Sequence, residues 1–328
     1  MKTNFSIAAG IAAALGLAAV AHAALPAEIV VNGEHVFPES ITSSANGSVY
    51  FGSIGNKAVY KAAPGAGKAE LFVQPGTDGL QSTFGVFADN RTSTLWVCSN
   101  VMGGAPGGPP NPPGSLYAFD LKSGASKGHY PFPTPGAMCN DIASTPDGTV
   151  FATDTGNTQV VRLKKGAKDL EVWAGADGAL GAKNVVVDGI SVLGDYVVVN
   201  ELGASKLFSV AINKDGSAGK PLEIKTDKPI SRPDGMRAFG KNGVLIIEGG
   251  DGGKLEHIRF DRDLLEGKVE LIKQGYPDGP VAVAVVGNTA YVAESQFAAM
   301  RGGPGSRPGA APVVEKPFKA TAVALPKK

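Results

Sequence analysis

The feature that most constrains the fold is a pair of short apolar strands joined by a turn, which recurs six times along the 328 residues. Equivalent positions in consecutive repeats lie 45, 56, 48, 46 and 47 residues apart. A period of roughly 40–50 residues with paired strands in each unit is typical of a β-propeller, in which each repeat forms one blade. The equivalent positions hold Glu39, Phe84, Asn140, Asp188, Asp234 and Val281. The sequence therefore predicts an all-β, six-bladed β-propeller.

The last repeat lacks a fourth strand in sequence order. It contains PVAVAVV, TAYVAES and, after a Pro/Gly-rich stretch, KATAVALP, whereas AEIVVNG near the N-terminus belongs to no other repeat. We expect the ring to be closed by pairing of this N-terminal strand with the C-terminal blade, because closure removes an exposed sheet edge.

The first 23 residues have the pattern of a secretory signal peptide. Lys2 precedes an apolar run, and Ala21-His22-Ala23 fits the small-x-small cleavage rule. The run is short for a membrane anchor. We expect residues 24–328 to form a single propeller domain that is exported to the periplasm or the extracellular medium, without a membrane anchor.

The charge balance of this mature chain excludes one class of partner. Of 31 basic and 30 acidic residues, only Lys2 lies in the signal, which leaves 30 of each sign. A neutral chain is not expected to bind nucleic acid, and we expect a monomer that binds a small-molecule substrate or ligand.

Cys98 and Cys139 should lie on one face of adjacent blades. An oxidising compartment permits a disulfide, but two buried thiols fit the sequence equally well.

The first strand of each blade lines the central channel of a propeller, so equivalent residues converge on one axis. Glu39, Asn140, Asp188 and Asp234 would meet there. Each could singly be a turn or surface residue, but three carboxylates around a narrow channel repel one another without a counter-ion. Oxygen ligands without His or Cys favour Ca²⁺ over Zn²⁺, with Mg²⁺ or Mn²⁺ as alternatives.

The second strands of the blades should end on the same face as this site. We expect Asn200 and Glu248, together with Asn140, to contact substrate, although strand-end residues of this kind are often solvated. Two Pro/Gly-rich segments, 101–114 and 301–312, should border the mouth of the channel, either as functional loops or as tolerated insertions.

Several local motifs resemble those of one family. They are Pro38-Glu39, Asn140-Asp141 followed by Pro146-Asp147-Gly148, and Arg232-Pro-Asp-Gly-Met236. With them the chain resembles the gluconolactonase and senescence marker protein (regucalcin-like) family of six-bladed propellers, which is distantly related to the paraoxonases. The resemblance implies that Glu39, Asp188 and Asp234 bind a catalytic divalent metal. It also implies that Asn140 binds the metal or the substrate beside it.

The chain departs from the family pattern at three positions. Asp188 stands where the family usually has Asn, which adds a negative charge to the metal site. Met138 replaces an Arg that sugar-lactone hydrolases tend to have, which argues against a sugar acid substrate. Phe84 replaces a paraoxonase His, so we expect no His-based proton relay.

The expected function is metal-dependent hydrolysis of a lactone or related ester. The cation would polarise the carbonyl, and Asp234 would act as metal ligand and general base for the attacking water. The leading alternative is a non-catalytic exported propeller that binds a small molecule or protein partner and uses the metal structurally. A lyase or isomerase acting on a sugar-derived substrate is the third.

Overall fold

The structure is a computed structural model, and it describes residues 24–103, 110–175, 178, 180, 186–249, 252–300 and 314–326. The expected signal peptide lies outside the described residues, as do all of segment 301–312 and residues 104–109 of the other Pro/Gly-rich segment. Within the described ranges, no helix has the length and apolar character needed to cross a membrane.

Short strands make up nearly all of the regular structure. They are β1 (Glu28–Val31), β2 (Pro38–Ser43), β3 (Val49–Ser53), β4 (Ala58–Ala62), β5 (Lys68–Val73), β6 (Ser82–Asp89), β7 (Thr94–Asn100), β8 (Ser115–Asp120), β9 (Ser126–Pro131), β10 (Cys139–Ser144), β11 (Val150–Asp154), β12 (Gln159–Leu163), β13 (Glu171–Ala174), β14 (Val187–Leu193), β15 (Tyr196–Glu201), β16 (Lys206–Ala211), β17 (Leu222–Thr226), β18 (Pro233–Ala238), β19 (Gly243–Glu248), β20 (Lys254–Phe260), β21 (Glu266–Gln274), β22 (Pro280–Val286), β23 (Thr289–Glu294) and β24 (Lys319–Ala324). Two 3₁₀ turns, Thr77–Gly79 and Phe297–Ala299, are the helical elements of the described chain.

The strands form sheets in a blade-like arrangement. Strands β6–β9 form one four-stranded antiparallel sheet, and β10–β13 form another. Two eight-stranded sheets have the orders β2-β3-β4-β5-β1-β24-β23-β22 and β14-β15-β16-β17-β21-β20-β19-β18. Each contains two four-stranded antiparallel units, which are joined by parallel pairing of their outermost strands, β1 with β5 and β17 with β21.

The first strands of these units surround a common axis. Strand β2 contacts β6, and the contacts continue through β10, β14 and β18 to β22, which in turn contacts β2. Apolar side chains fill the spaces between neighbouring units; Phe51, Tyr291 and Phe318, for example, belong to one buried cluster that joins the first and last units. The ring of inner strands brings one end of each close to the axis.

Closure of the ring follows the expectation from the sequence. Strand β1 pairs antiparallel with β24, so that Glu28 faces Thr321 and Ile29 faces Ala320. Ile29 and Val31 are buried in the cluster that joins the first and last units. The N-terminal strand therefore completes the last four-stranded unit.

The two cysteines form a disulfide, which decides between the alternatives left open by the sequence. Cys98 at the end of β7 is bonded to Cys139 at the start of β10, with Cα atoms 5.1 Å apart. The bridge closes a sequence separation of 41 residues, and bridges of this kind contribute about 2–4 kcal/mol to stability. Cys139 immediately precedes Asn140, so the bridge fixes the strand that carries one residue of the axial site.

Candidate metal centre

The polar residues of the repeat lie at β-bulges in the inner strands. In β18, Pro233 pairs with Glu248 and Met236 pairs with Ile246, so Asp234 and Gly235 stand opposite a single residue of β19. Each of the other inner strands also carries one extra residue at this point, including the sites of Glu39, Asn140 and Asp188. A bulge bends the strand and redirects a side chain. Here it coincides in every unit with the position predicted to face the axis.

Three carboxylates meet at this point. One oxygen from each of Glu39, Asp188 and Asp234 lies within 4.8 Å of the others. Glu39 and Asp188 are only 9% and 6% exposed, while Asp234 also borders a cavity. The sequence-based expectation that these side chains converge agrees with this geometry.

Asn140 lies in the same cluster. Its side chain is buried, donates hydrogen bonds to Thr155 Oγ1 (3.1 Å) and to the Asp188 carboxylate, and leaves Oδ1 without a partner among the described residues. Glu39 Oε2 is likewise buried and has no partner in the described chain. Buried acceptors without donors are costly, and a hard cation would satisfy both. The donor set therefore fits a Ca²⁺-type ion.

Crowding and burial change the acidity of all three carboxyl groups. Burial raises the pKa of Glu39 well above its usual value, and the neighbouring charges of Asp188 and Asp234 add to the increase. Burial and the Asp234 charge raise the pKa of Asp188 well above normal. Burial raises the pKa of Asp234 to about 7, against hydrogen bonding from Gly235 and the nearby charge of Arg232. Without a cation the cluster resists ionisation.

The raised pKa values predict that loss of one carboxylate changes the stability of the protein in opposite directions with and without metal. Because all three folded-state pKa values are raised, the cluster's contribution to stability is full below the unfolded values near ~4. It is lost as pH rises through the folded-state pKa values, of which that of Asp234 is about 7. In the presence of chelator, Asp188→Asn should therefore stabilise the protein more at pH 7.5 than at pH 5, as measured by urea unfolding. With Ca²⁺ the variant should be the less stable protein at pH 7.5. An Asp188→Asn effect that is independent of both pH and Ca²⁺ would contradict the cluster described here.

Glycines that follow the axial residues permit close approach of neighbouring inner strands. A Cβ on Gly189 would lie 2.5 Å from the carbonyl oxygen of Asp234, and one on Gly235 would lie 2.7 Å from that of Val281. Real Cβ atoms do not approach backbone oxygens so closely, so a side chain here would push the strands apart. At Gly189 and Gly235 the inner strand is therefore held against the next strand of the ring.

We expect Gly189→Ala to lower the free energy of unfolding by about 1–3 kcal/mol, as overpacking typically does, and to weaken Ca²⁺ binding because Asp234 is displaced. Chemical unfolding and calcium titration measure the two effects. Gly67→Ala is the matched control, since its nearest Cβ contact would be an ordinary 3.5 Å. Equal behaviour of the two variants would show that the close approach is unimportant.

The expected substrate contact Asn200 has a different place in the structure. Its side chain is fully buried, donates to the carbonyl of Asp234 (2.5 Å) and accepts from the N–H of Gly189 (3.1 Å). Both polar atoms are thus used to hold two inner strands together. In the structure Asn200 therefore holds the strand that carries Asp234.

The second expected contact, Glu248, is also fully buried. It pairs with Lys254 at 2.9 Å and shares a hydrogen bond with Glu256. Neither Glu248 nor Asn200 lines the cavity beside Asp234. Both side chains make their hydrogen bonds and ion pairs within the protein, so the expectation that they contact substrate stays a prediction.

An ion pair on the axis was not anticipated from the sequence. The Nη1 atom of Arg237 contacts Asp141 Oδ2 at 2.7 Å, and Nη2 donates to Val86 O at 3.1 Å and Ser40 Oγ at 3.3 Å. The side chains of Arg237 and Asp141 are 11% and 5% exposed. One guanidinium thus connects strands β2, β6, β10 and β18 directly beside the carboxylate cluster.

A cavity of about 420 Å³ opens beside Asp234. Apolar side chains, including Val281 and Phe297, form part of its wall, and Arg232 and Lys316 also border it. It is large enough for a small organic molecule in contact with the carboxylate cluster.

Comparisons with known proteins identify the fold. No family model matches the sequence, and no curated protein does. Among solved structures, the allergen Mala s 1 of Malassezia sympodialis is similar with a TM-score of 0.69 and 15% identity, over 92% of this chain and 96% of that one. Calcium-binding regucalcin of Agrobacterium tumefaciens has a TM-score of 0.57 and 13% identity, over 91% and 97%. A gluconolactonase of Xanthomonas campestris has a TM-score of 0.57 and 12% identity, over 88% of each chain.

Proteins with another activity are similar at the same level. Virginiamycin B lyase of Staphylococcus aureus has a TM-score of 0.58 and 16% identity, over 81% of this chain and 80% of that one. At such identities the likeness concerns the fold, because one propeller fold hosts many functions. The chain has a β-propeller fold like that of the gluconolactonase and regucalcin structures.

Proposed function

We propose that this chain is a six-bladed β-propeller that hydrolyses a lactone or related ester with a Ca²⁺-type cation at its axis. The observation that carries the proposal is the meeting of Glu39, Asp188 and Asp234 within 4.8 Å, beside a cavity that Asp234 borders. The closed ring of six inner strands supports the blade count. The fold likeness to gluconolactonase and regucalcin structures supports this activity and a divalent metal.

The cation would be held by the three carboxylates and by Asn140 Oδ1. When bound, a divalent cation polarises a carbonyl and stabilises the oxyanion that forms on it. Hard oxygen donors favour Ca²⁺, and Mg²⁺ or Mn²⁺ are the alternatives to be compared. Glu39 and Asp188 are the more enclosed ligands, which suits them to hold the ion.

Asp234 is suited to the proton transfer because it borders the cavity. Its carboxylate would accept a proton from water as the water oxygen bonds to the carbonyl carbon of the substrate. The bond from that carbon to the ring or ester oxygen then breaks. The leaving oxygen takes up the proton, which yields a hydroxy acid from a lactone or an acid and an alcohol from an ester.

The test is a hydrolysis screen of lactones and esters with mature protein before chelation, after chelation and after return of Ca²⁺. We expect consumption of a lactone with uptake of one water, loss of activity with chelator and recovery with Ca²⁺. Failure of the Ca²⁺-loaded protein to consume any lactone or ester would favour the non-catalytic binding protein. Consumption without uptake of water would favour a lyase, which is the activity of the similar S. aureus protein.

We also propose that the chain is exported to the periplasm or the medium and acts there as a monomer on a small molecule. The Cys98–Cys139 disulfide is compatible with an oxidising compartment. N-terminal sequencing of the secreted protein and its mass in solution test the two parts of this proposal.

A further inference from the structure

We propose that the ligand of the axial site carries a carboxylate, which the guanidinium of Arg232 binds in the cavity beside Asp234. The inference rests on the proposed function in one respect: it names the substrate class of that same site.

Among the described residues that line the cavity, one cation has no ion pair or side-chain hydrogen bond, although its charge acts on the pKa of Asp234. Asp234 belongs to the carboxylate cluster, and Lys316 is paired with Asp278 at 2.5 Å. The side chain of Arg232 is exposed and makes no hydrogen bond or ion pair with any described residue. Arg232 is therefore the cavity-lining cation, within the described chain, that can accept an anionic ligand.

The backbone at Arg232 is held in an unfavourable conformation. Its φ is +50°, in the left-handed region that favours glycine, and it precedes Pro233, which further restricts its conformation. Hydrogen bonds fix it there: its N–H donates to Ser205 Oγ and its carbonyl accepts from the Gly249 N–H, both at 3.0 Å. Strain of this kind often accompanies a ligand site.

Two other inner strands begin with the same turn, which allows a comparison within the chain. Gly279 precedes Pro280 with φ +76°, and glycine adopts this conformation without strain. Phe37 precedes Pro38 with φ +43°, but it is buried and packs against Phe318. Arg232 has neither the freedom of glycine nor the packing of Phe37. A role for its guanidinium in the cavity explains why an arginine, and not a glycine, occupies this strained position.

The charges and donor groups of the cavity complement those of a carboxylate ligand. Three carboxylates with one divalent cation would leave a net negative charge, which alone would repel an anionic ligand. The planar guanidinium of Arg232 offsets this charge and presents paired N–H donors that match a carboxylate. The apolar wall formed by residues such as Val281 and Phe297 would contact the body of the same molecule.

Binding of a non-hydrolysable pair of probes tests the inference separately from catalysis. Tetrahydrofuran-2-carboxylate and tetrahydrofuran-2-carboxamide should be titrated by calorimetry into Ca²⁺-loaded and chelated protein. We expect the carboxylate to bind about tenfold more tightly than the amide in both states, as a charge-assisted hydrogen bond would give. Arg232→Gln should abolish this preference, and Arg232→Lys should keep part of it.

Two further variants make the result decisive. Arg232→Gly relieves the backbone strain, so it should fold at least as well as the parent protein and still lose the preference. Arg262→Gln removes an exposed Arg beyond the far end of β20 and should keep it. An unchanged preference in Arg232→Gln and Arg232→Gly would overturn the proposal, as would equal binding of the two probes to the parent protein.

Turnover of 5-oxotetrahydrofuran-2-carboxylate and its carboxamide separates this inference from the proposed hydrolysis. If neither lactone is hydrolysed but the Arg232-dependent preference is measured, the carboxylate site stands and the hydrolase does not. If both lactones are hydrolysed and Arg232→Gln leaves their ratio unchanged, the hydrolase stands and the carboxylate site does not.

Discussion

An Asp234→Asn variant saturated with Ca²⁺ is expected to turn over a lactone about 10²–10⁴-fold more slowly than the parent protein, as loss of a general base typically does. The amide cannot accept the proton of the attacking water, although its oxygen can still contact a cation. Steady-state turnover at saturating Ca²⁺ measures the effect. Calcium titration of the same protein shows how much of the loss comes from weaker binding of the ion.

Asp188→Asn is the matched control for the base role. Asp188 belongs to the same cluster but does not line the cavity, so its loss should weaken Ca²⁺ binding and leave most of the turnover once Ca²⁺ is saturating. Full turnover by Asp234→Asn with its metal retained would refute the base role. An equal loss in both variants would mean that Asp234 acts only as a ligand.

Arg237→Met is expected to lower the free energy of unfolding by about 3–5 kcal/mol, because it leaves the buried Asp141 carboxylate without its partner. The guanidinium also supplies donors to Val86 O and Ser40 Oγ, so four inner strands lose a common contact. Chemical unfolding of the metal-loaded protein measures the change.

The double variant Arg237→Met/Asp141→Asn tests whether the cost arises from the unpaired charge. It should be more stable than Arg237→Met alone, because no uncompensated carboxylate remains. If the double variant loses the sum of the two single effects, the ion pair is not coupled. In that case the axis would be held by the backbone contacts of the inner strands.

The convergence of Glu39, Asp188 and Asp234 was predictable because it depends on repetition alone. Each residue occupies the same position in its own repeat, and a ring of repeats brings equivalent positions together. Neither side-chain packing nor the details of any loop enter that argument. The pairing of β1 with β24 was predictable for a similar reason. The last repeat has only three strands in sequence order, and the N-terminal strand belongs to no other repeat.

The role of Arg237 could not be read from strand alternation. In a regular strand Arg237 would point away from the face that carries Asp234, because the two are three residues apart. The bulge at Asp234-Gly235 inserts one residue and brings both to the axis. Gly235, next to an axial carboxylate, was the available signal for this bulge.

The hydrogen bonds of Asn200 could not be predicted for another reason. A polar residue at the end of a second strand can face solvent, a ligand or the next unit of the ring. Only the three-dimensional structure shows that the next inner strand is close enough to use its amide, through Gly189 and the carbonyl of Asp234. The ion pair of Glu248 with Lys254 could not be predicted for the same reason.

The most direct test of the candidate metal centre is the metal content and thermal stability of the protein with and without chelator, alongside Glu39→Gln and Asp234→Asn. We expect one bound divalent ion per chain, a lower melting temperature after chelation, and loss or marked weakening of the ion in both variants at limiting Ca²⁺. A protein without bound metal, whose stability is unchanged by chelator and by both substitutions, would contradict it.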